Sequence, residues 1–344
     1  MKFWHIIHDG NHLVSLAKNL ADIDTTDDHD IQALYSRGHQ KSYIDKAQEI
    51  FANVRPFDGR LNVGPQDVVV IHGLFGQPMA DLCQALFKNK IKTVWCMWGG
   101  DLHMIAPLEG GFDLLNSFDC IISYTGELAL YPEIIAPEVQ GAVHIIDGTA
   151  SDPSIEKEKL ILIGNSGDPS NDHLYLLELA SKFEGYQLWL PFAYNGTEEY
   201  KAQILAKADE LGVLERLTLQ EDMLPFEEYS NLIARAEMIF AAHNRQQALG
   251  TMGQGYLSNC RVFMRKTILS KAGKTMVNPG YLQMLSYGWV SVADICDLEQ
   301  DVHRKAILEN PDWKNEFAEV SSQSHIARSK VFDRVKRVCF PSQS

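Results

Sequence analysis

Apolar residues gather along this chain in short solid runs. Most are followed by a polar loop, often with a glycine, and then by a stretch with helical spacing. In the first half the runs are Phe3 to Ile7, Asp67 to Ile71, Thr93 to Met97, Cys120 to Ser123 and Val143 to Ile146, with Ile31 to Tyr35 as a further strand. In the second half they are Lys159 to Ile163, Gln187 to Pro191, Leu217 to Leu219, Met238 to Ala242, Val262 to Met264 and Trp289 to Ala293. Solid runs, rather than alternating ones, belong to strands covered on both faces, the habit of parallel sheets. Between them the spacing predicts helices over Leu13 to Leu20, Ser42 to Asn53, Pro78 to Lys88, Asp172 to Phe183, Glu198 to Leu211, Glu227 to Ala236, Val302 to Asn310 and Gln323 to Val338. Thr275 to Tyr287 reads as a helix broken at Asn278-Pro279-Gly280, and the acid-rich Asp22 to Asp30 as a solvated loop. Strand, glycine-bearing loop and helix at the start is a Rossmann-like opening.

Length and composition sharpen this. At about 150 residues per domain, 344 residues suggest two domains. Asp147 to Glu158 has linker composition, so the expected parts are residues 1–150, residues 159–322, and a final helix in 323–344 crossing back to the first domain. That helix carries Arg328, Lys330, Arg334, Lys336 and Arg337 against Asp333, a solvated face or a weak contact for a lipid-bound acceptor. A net charge of -14 argues against a nucleic-acid partner and against whole-surface docking on anionic lipid. The six cysteines show no zinc-ligand spacing, which fits reduced thiols and no metal site. The N-terminus is too short and polar for a signal peptide, and no apolar run approaches ~20 residues, so a cytoplasmic location is expected, with peripheral contact at the inner membrane face as the alternative.

The chemistry concentrates in residues 237–264, which read as strand, loop, helix, strand. His243 to Gly250 is the loop, and Thr251 is the expected cap of the helix that follows. Such a helix start favours an anion by roughly 0.3–1 kcal/mol per interaction. Arg245 adds a cation whose fork of donors suits phosphate, so a diphosphate is the expected occupant. Gly164 to Asn171 is a second candidate loop, a phosphate or sugar site or simply a capped turn, with Asp168 before Pro169 as the cap. Tyr194 suits stacking or a sugar pocket, and Phe192 suits the core. His8 and Asp9 either close a turn or face a ligand at the sheet's C-terminal edge. Asp101, after Gly99-Gly100, is a base, a helix cap or a binding residue. Glu127 reads as a helix-start acid.

Residues 225–264 resemble the nucleotide-sugar site of GT-B glycosyltransferases through Phe226-Glu227-Glu228-Tyr229, Ala236-Glu237, Gln247-Ala248-Leu249-Gly250 and Arg261-Val262-Phe263. Two departures stand out: Gln247 where many of these enzymes have glutamate, and Gly255 where a second glutamate holds ribose hydroxyls. Most of the chain also resembles the bacterial 4-acetamido-4,6-dideoxygalactose (Fuc4NAc) transferase family. The carriers are His72-Gly73-Leu74-Phe75, Trp98-Gly99-Gly100-Asp101-Leu102, Gly164 through Asn171, and Arg245-Gln246-Gln247-Ala248-Leu249-Gly250-Thr251. That resemblance implies two Rossmann-like domains facing a cleft, with a dTDP-sugar as substrate rather than cofactor, and a lipid-linked or glycan acceptor. The expected donor residues are Asn165, Ser166, Asp168, Ser170, Asn171, Tyr194, Arg245, Gln246, Gln247, Gly250 and Thr251. Asp101, His8 and Asp9 are the expected catalytic residues, and His72 and Trp98 the acceptor-side ones. A nucleotide-sugar epimerase and a non-enzymatic two-lobed sugar-nucleotide receptor are the competing readings.

Overall fold

The computed structural model describes residues 1–23, 27–34, 43–141, 155–270, 273–310, 313–317 and 321–341, without the side chains of residues 11 and 321–329. The chain forms two units, Met1–Ile145 with Ser322–Ser344, and Ile146–Ser321. Val143 to Ile146, Tyr35 and most of the expected linker lie outside the described residues.

The first unit runs β1 (Lys2–His8), α1 (Asn11–Ala21), β2 (Asp28–Leu34), α2 (Ile44–Gln48), β3 (Val54–Pro56), β4 (Val68–His72), α3 (Gln77–Lys88), β5 (Thr93–Cys96), α4 (Gly100–Ile105), α5 (Gly111–Asn116), β6 (Cys120–Ser123) and β7 (Glu138–Gln140). The second runs β8 (Glu158–Ile163), α6 (His173–Ala180), β9 (Gln187–Pro191), α7 (Glu198–Glu210), β10 (Leu217–Gln220), α8 (Phe226–Arg235), β11 (Ala236–Ala241), α9 (Leu249–Leu257), β12 (Arg261–Met264), β13 (Thr267–Leu269), β14 (Thr275–Val277), α10 (Pro279–Ser286), β15 (Ala293–Asp294) and α11 (Asp301–Leu308). The last helix, α12 (Ser321–Cys339), belongs to the first unit, where Val331, Phe332 and Val335 join the core beside Phe3 and Ile7.

Each unit holds one parallel sheet, ordered β3-β2-β1-β4-β5-β6-β7 in the first and β10-β9-β8-β11-β12-β15 in the second. Solid apolar runs become central strands because helices cover both faces: all five residues of β4 are buried, as are Ile161 to Ile163 of β8. Burying each such Val, Ile or Leu side chain stabilises the fold by about 1.5–3 kcal/mol. In both sheets the strand order reverses beside the first strand, between β1 and β4 and between β8 and β11. Loops leaving adjacent strands in opposite directions open a crevice there, at the C-terminal strand ends.

Several expectations need correction. Asp22 to Asp30 is not all loop, because β2 starts at Asp28 with His29 and Asp30 buried. Polar residues sit inside because they are paired: Asp30 bonds Lys2 at 3.0 Å and also binds Arg55. The helix expected over Ser42 to Asn53 shrinks to the short α2. Thr275 to Val277 is a strand, paired antiparallel with β13, and the helix starts only at Pro279. Of Trp289 to Ala293, only Ala293 enters a strand.

Candidate functional site

In the second unit the crevice between β8 and β11 is built on Asn171, which is fully buried. Its Nδ2 donates to the Asp168 carbonyl at 2.9 Å and to the Ser166 carbonyl at 3.2 Å. Its Oδ1 accepts from the Asn165 N–H at 3.0 Å and from His243 Nε2 at 2.8 Å. One amide thus ties the loop after β8 to the loop after β11. The bond fixes His243 with its proton on Nε2, and burial drives its pKa down to about 3. His173, beneath the same loop, is held neutral in the same way, down to about 4. Gly164 must be glycine: its φ is +66°, and a Cβ would lie 2.7 Å from Asn171 Oδ1. Asp168 accepts from the Ser170 N–H at 2.9 Å, so it caps the 3-10 turn Pro169–Asn171 rather than helix α6.

Above this floor stand the side chains that can meet a ligand. Ser170 Oγ donates to Gln247 Oε1 at 2.8 Å, Arg245 Nη2 donates to Ser170 Oγ at 3.4 Å, and Gln247 Nε2 reaches Asn165 Oδ1 at 3.4 Å. Asn165 Nδ2 in turn donates to the Tyr194 hydroxyl at 3.0 Å, and Tyr194 is 45% exposed while Phe192 is in the core. Two arginines differ here. Arg265 is paired with Asp172 at 2.9 Å and Asn244 at 2.7 Å. Arg245 has no carboxylate within ion-pair distance among the described residues. A half-buried guanidinium beside hydroxyl and amide groups, with no carboxylate partner among the described residues, has donors to offer an anion.

Helix α9 starts at Leu249 in this same loop, with Ala248 at φ +56° turning the chain into it. The first intrahelical bond is Met252 N–H to the Ala248 carbonyl at 2.9 Å, so the N–H groups of Leu249, Gly250 and Thr251 lie in the first turn. Thr251 therefore does not cap the helix. It lies inside, and its hydroxyl meets the Tyr229 hydroxyl at 2.8 Å. Gly250 is exposed and a Cβ there would meet nothing, whereas Gln246 is buried. A Cβ at Gly255 would stand 2.0 Å from Ile239 Cδ1, so α9 lies close against β11 and Ile239 would have to move to admit a side chain there.

The sequence reading missed Asn278. Fully buried, it donates to the His243 carbonyl at 2.7 Å and the Arg265 carbonyl at 2.8 Å, and it caps α10 through the Gly280 N–H. The signal was present: Asn before Pro is a helix start with proline in the first turn, not a break.

In the first unit the crevice between β1 and β4 gathers other residues. His8 Nε2 lies 3.0 Å from the Phe75 carbonyl oxygen, which can only accept, so Nε2 carries a proton and, in a neutral ring, Nδ1 is the acceptor. Asp9 accepts from the Tyr43 N–H at 2.8 Å, which ties the loop after β1 to the residue before α2. Trp98 packs against His12 and Phe75, with ring centroids 4.3 and 5.7 Å apart. His72 is buried in the sheet, not presented at its rim, and burial lowers its pKa to about 3. Asp101 is fully buried and accepts four bonds: Leu74 N–H at 3.0 Å and Trp95 Nε1 at 2.9 Å on one oxygen, Trp98 N–H at 3.0 Å and Leu102 N–H at 3.1 Å on the other. With both oxygens occupied by donors, Asp101 anchors the loops after β4 and β5, and the expectation of a catalytic base there gives way to an anchoring role. Glu127 is likewise buried, bonded to His103 Nε2 at 2.7 Å, while His103 Nδ1 meets the Tyr131 hydroxyl at 2.7 Å.

Among the described residues no cluster of side chains could hold a metal ion, and no helix is long and apolar enough to cross a membrane. Residues 142–263 match the family described as 4-alpha-L-fucosyltransferase, glycosyl transferase group 56. The chain is similar to HepE of Anabaena, solved with UDP and glucose, at 12% identity and TM-score 0.62 over 98% of this chain and 95% of that one. The N-terminal domain of Candida albicans trehalose-6-phosphate phosphatase matches at 12% identity and TM-score 0.59 over 98% and 94%. A glycosyltransferase from Rickettsia africae matches at 11% identity and TM-score 0.58 over 99% and 96%. These likenesses establish the architecture: a GT-B-like fold of two Rossmann-like α/β domains.

Proposed function

We propose that this chain is a glycosyltransferase that moves an amino-deoxy sugar, of the 4-acetamido-4,6-dideoxygalactose kind, from a dTDP-linked donor to a lipid-linked or glycan acceptor. One observation carries the reading: Arg245, with no carboxylate partner among the described residues, stands with Ser170 and Gln247 where the loops after β8 and β11 meet and helix α9 begins. Cation, hydroxyl, amide and helix start together suit a diphosphate. Support comes from the fucosyltransferase description of the family matched over residues 142–263, which span both loops, and from the UDP and UDP-glucose complexes of HepE.

In the reaction an acceptor hydroxyl attacks the anomeric carbon as the bond to the diphosphate oxygen breaks. Arg245 and the first turn of α9 stabilise the charge that develops on the leaving diphosphate, the kind of preorganised electrostatics that dominates many enzyme reactions. His8, oriented by its bond to Phe75, is in its neutral form the side chain suited to receive the acceptor's proton, at Nδ1. Asp101 keeps the loop around Trp98 in shape. The glycine at 255 leaves no carboxylate for a ribose hydroxyl, which fits a deoxyribose nucleotide. A lipid-linked acceptor would bring the protein to the inner membrane face.

A thermal-shift panel of dTDP, UDP, GDP and ADP tests the reading. The largest rise in melting temperature is expected with dTDP. A larger rise with another nucleotide would replace the donor, and no rise with any would remove the nucleotide-sugar reading.

A further inference from the structure

Gln247, half-buried on the loop after β11, reaches across to the loop after β8 at two points. Its Oε1 accepts from Ser170 Oγ at 2.8 Å, and its Nε2 faces Asn165 Oδ1 at 3.4 Å. The same Ser170 oxygen accepts from Arg245 Nη2 at 3.4 Å, so one hydroxyl stands between the amide and the guanidinium. On the other side Asn165 Nδ2 donates to the Tyr194 hydroxyl at 3.0 Å. Only an amide serves both ends of this bridge. It carries donors and an acceptor, whereas a carboxylate carries acceptors alone. A carboxylate at position 247 could still take the Ser170 proton, but it would set a second acceptor against Asn165 Oδ1.

The neighbouring charges give the neutrality of that amide its weight. Asp168 already stands on the loop after β8, with Oδ1 accepting from the Ser170 N–H at 2.9 Å. Arg265 is paired with Asp172 at 2.9 Å. Burial keeps His173 and His243 neutral. Among these groups Arg245 is balanced only by Asp168, which lies beyond ion-pair distance. A second carboxylate, one hydroxyl away from the guanidinium, would turn the balance negative. It would do to Arg245 what Asp172 does to Arg265.

We propose that Gln247 sets how this site reads phosphate charge. Neutral and bonded at both ends, it leaves the Arg245 guanidinium to the ligand, so affinity rises with each negative charge on a thymidine phosphate. The inference rests on the nucleotide reading of the site and deepens it, by naming the residue behind selection of a diphosphate over a monophosphate or a free nucleoside.

Calorimetric titration of dTDP, dTMP and thymidine into the unmutated protein, Gln247→Glu, Gln247→Met and Gln247→Lys tests this at low and high salt. The unmutated protein should bind dTDP more tightly than dTMP, and dTMP more tightly than thymidine. Gln247→Glu should weaken dTDP by about tenfold or more, dTMP by less and thymidine not at all, with the dTDP loss shrinking in high salt. Gln247→Met loses both bonds but gains no charge, so it should weaken dTDP less than Gln247→Glu does. Gln247→Lys should raise the ratio of dTDP to thymidine affinity, and it decides alone if melting curves show that Gln247→Glu does not fold. Equal losses for all three ligands, a loss indifferent to salt, or a Gln247→Met as damaging as Gln247→Glu would make Gln247 a structural bridge and overturn the inference. If dTDP does not bind the unmutated protein, the nucleotide reading fails, and the same series with pyrophosphate and phosphate decides this inference. Binding of neither would overturn both.

Discussion

The two sheets reverse strand order at equivalent points and furnish those points differently. Between β8 and β11 the lining is amide, hydroxyl and an arginine with no carboxylate partner among the described residues, over a floor knitted by Asn171 and Asn278. Between β1 and β4 it is histidine, indole and an aspartate with both oxygens taken. The first set offers donors to an anion, while the second offers an imidazole and an aromatic wall. Topology fixes where a ligand can go; the side chains decide which charge it brings.

Acid probes what the two regions share. His29 and His72 in the first unit and His173 and His243 in the second have folded pKa values near 4, 3, 4 and 3, each lowered mainly by burial from 6.5. Below pH 6.5 the unfolded chain takes up protons that the folded chain refuses. Their stabilisation is therefore intact above that pH and is lost as pH falls toward the folded values. Each histidine costs up to about 1.4 kcal/mol per pH unit. Urea unfolding at pH 7.5 and 5.0 should show a loss of several kcal/mol, spread over both units. A stability independent of pH in this range would mean that these rings are not held neutral.

Asp101→Asn separates an anchor from a catalyst. An amide nitrogen facing N–H donors leaves two of them unpaired, so folding should weaken by about 2–5 kcal/mol. Unchanged stability with lost turnover would return Asp101 to the role of base. His8→Gln should behave oppositely, with stability and nucleotide binding kept while turnover falls by about 10²-fold or more. Retained turnover would remove His8 from the reaction. The smallest effect expected is in the second unit: Ala248→Gly relieves a left-handed backbone at φ +56° and should raise stability by up to about 1 kcal/mol in urea unfolding.

Solid apolar runs made most of the parallel strands legible, because strands buried on both faces leave little else to write there. The loops at the sheet ends were legible as candidates for the same reason: glycine and polar residues directly after such runs have few other uses. What escaped was set by pairing across the fold. His29 and Asp30 look like part of an acidic loop until β1 and β3 supply their partners. Asp101 looks like an exposed base until Leu74 and Trp95 close over it. Asn278 ties together strand ends whose adjacency no local spacing reveals. Arg245 was legible because a cation in a polar loop before a helix needs no distant partner to be read.

The central claim is that the start of α9 with Arg245 grips a diphosphate. Calorimetric titration of dTDP into the unmutated protein and into Arg245→Ala tests it directly. Loss of one charge-assisted contact should weaken binding by about 1.5–3 kcal/mol, on the order of ten- to a hundredfold, with the melting temperature of the free protein unchanged. Equal affinity in the two proteins, or no binding to the unmutated one, would contradict it.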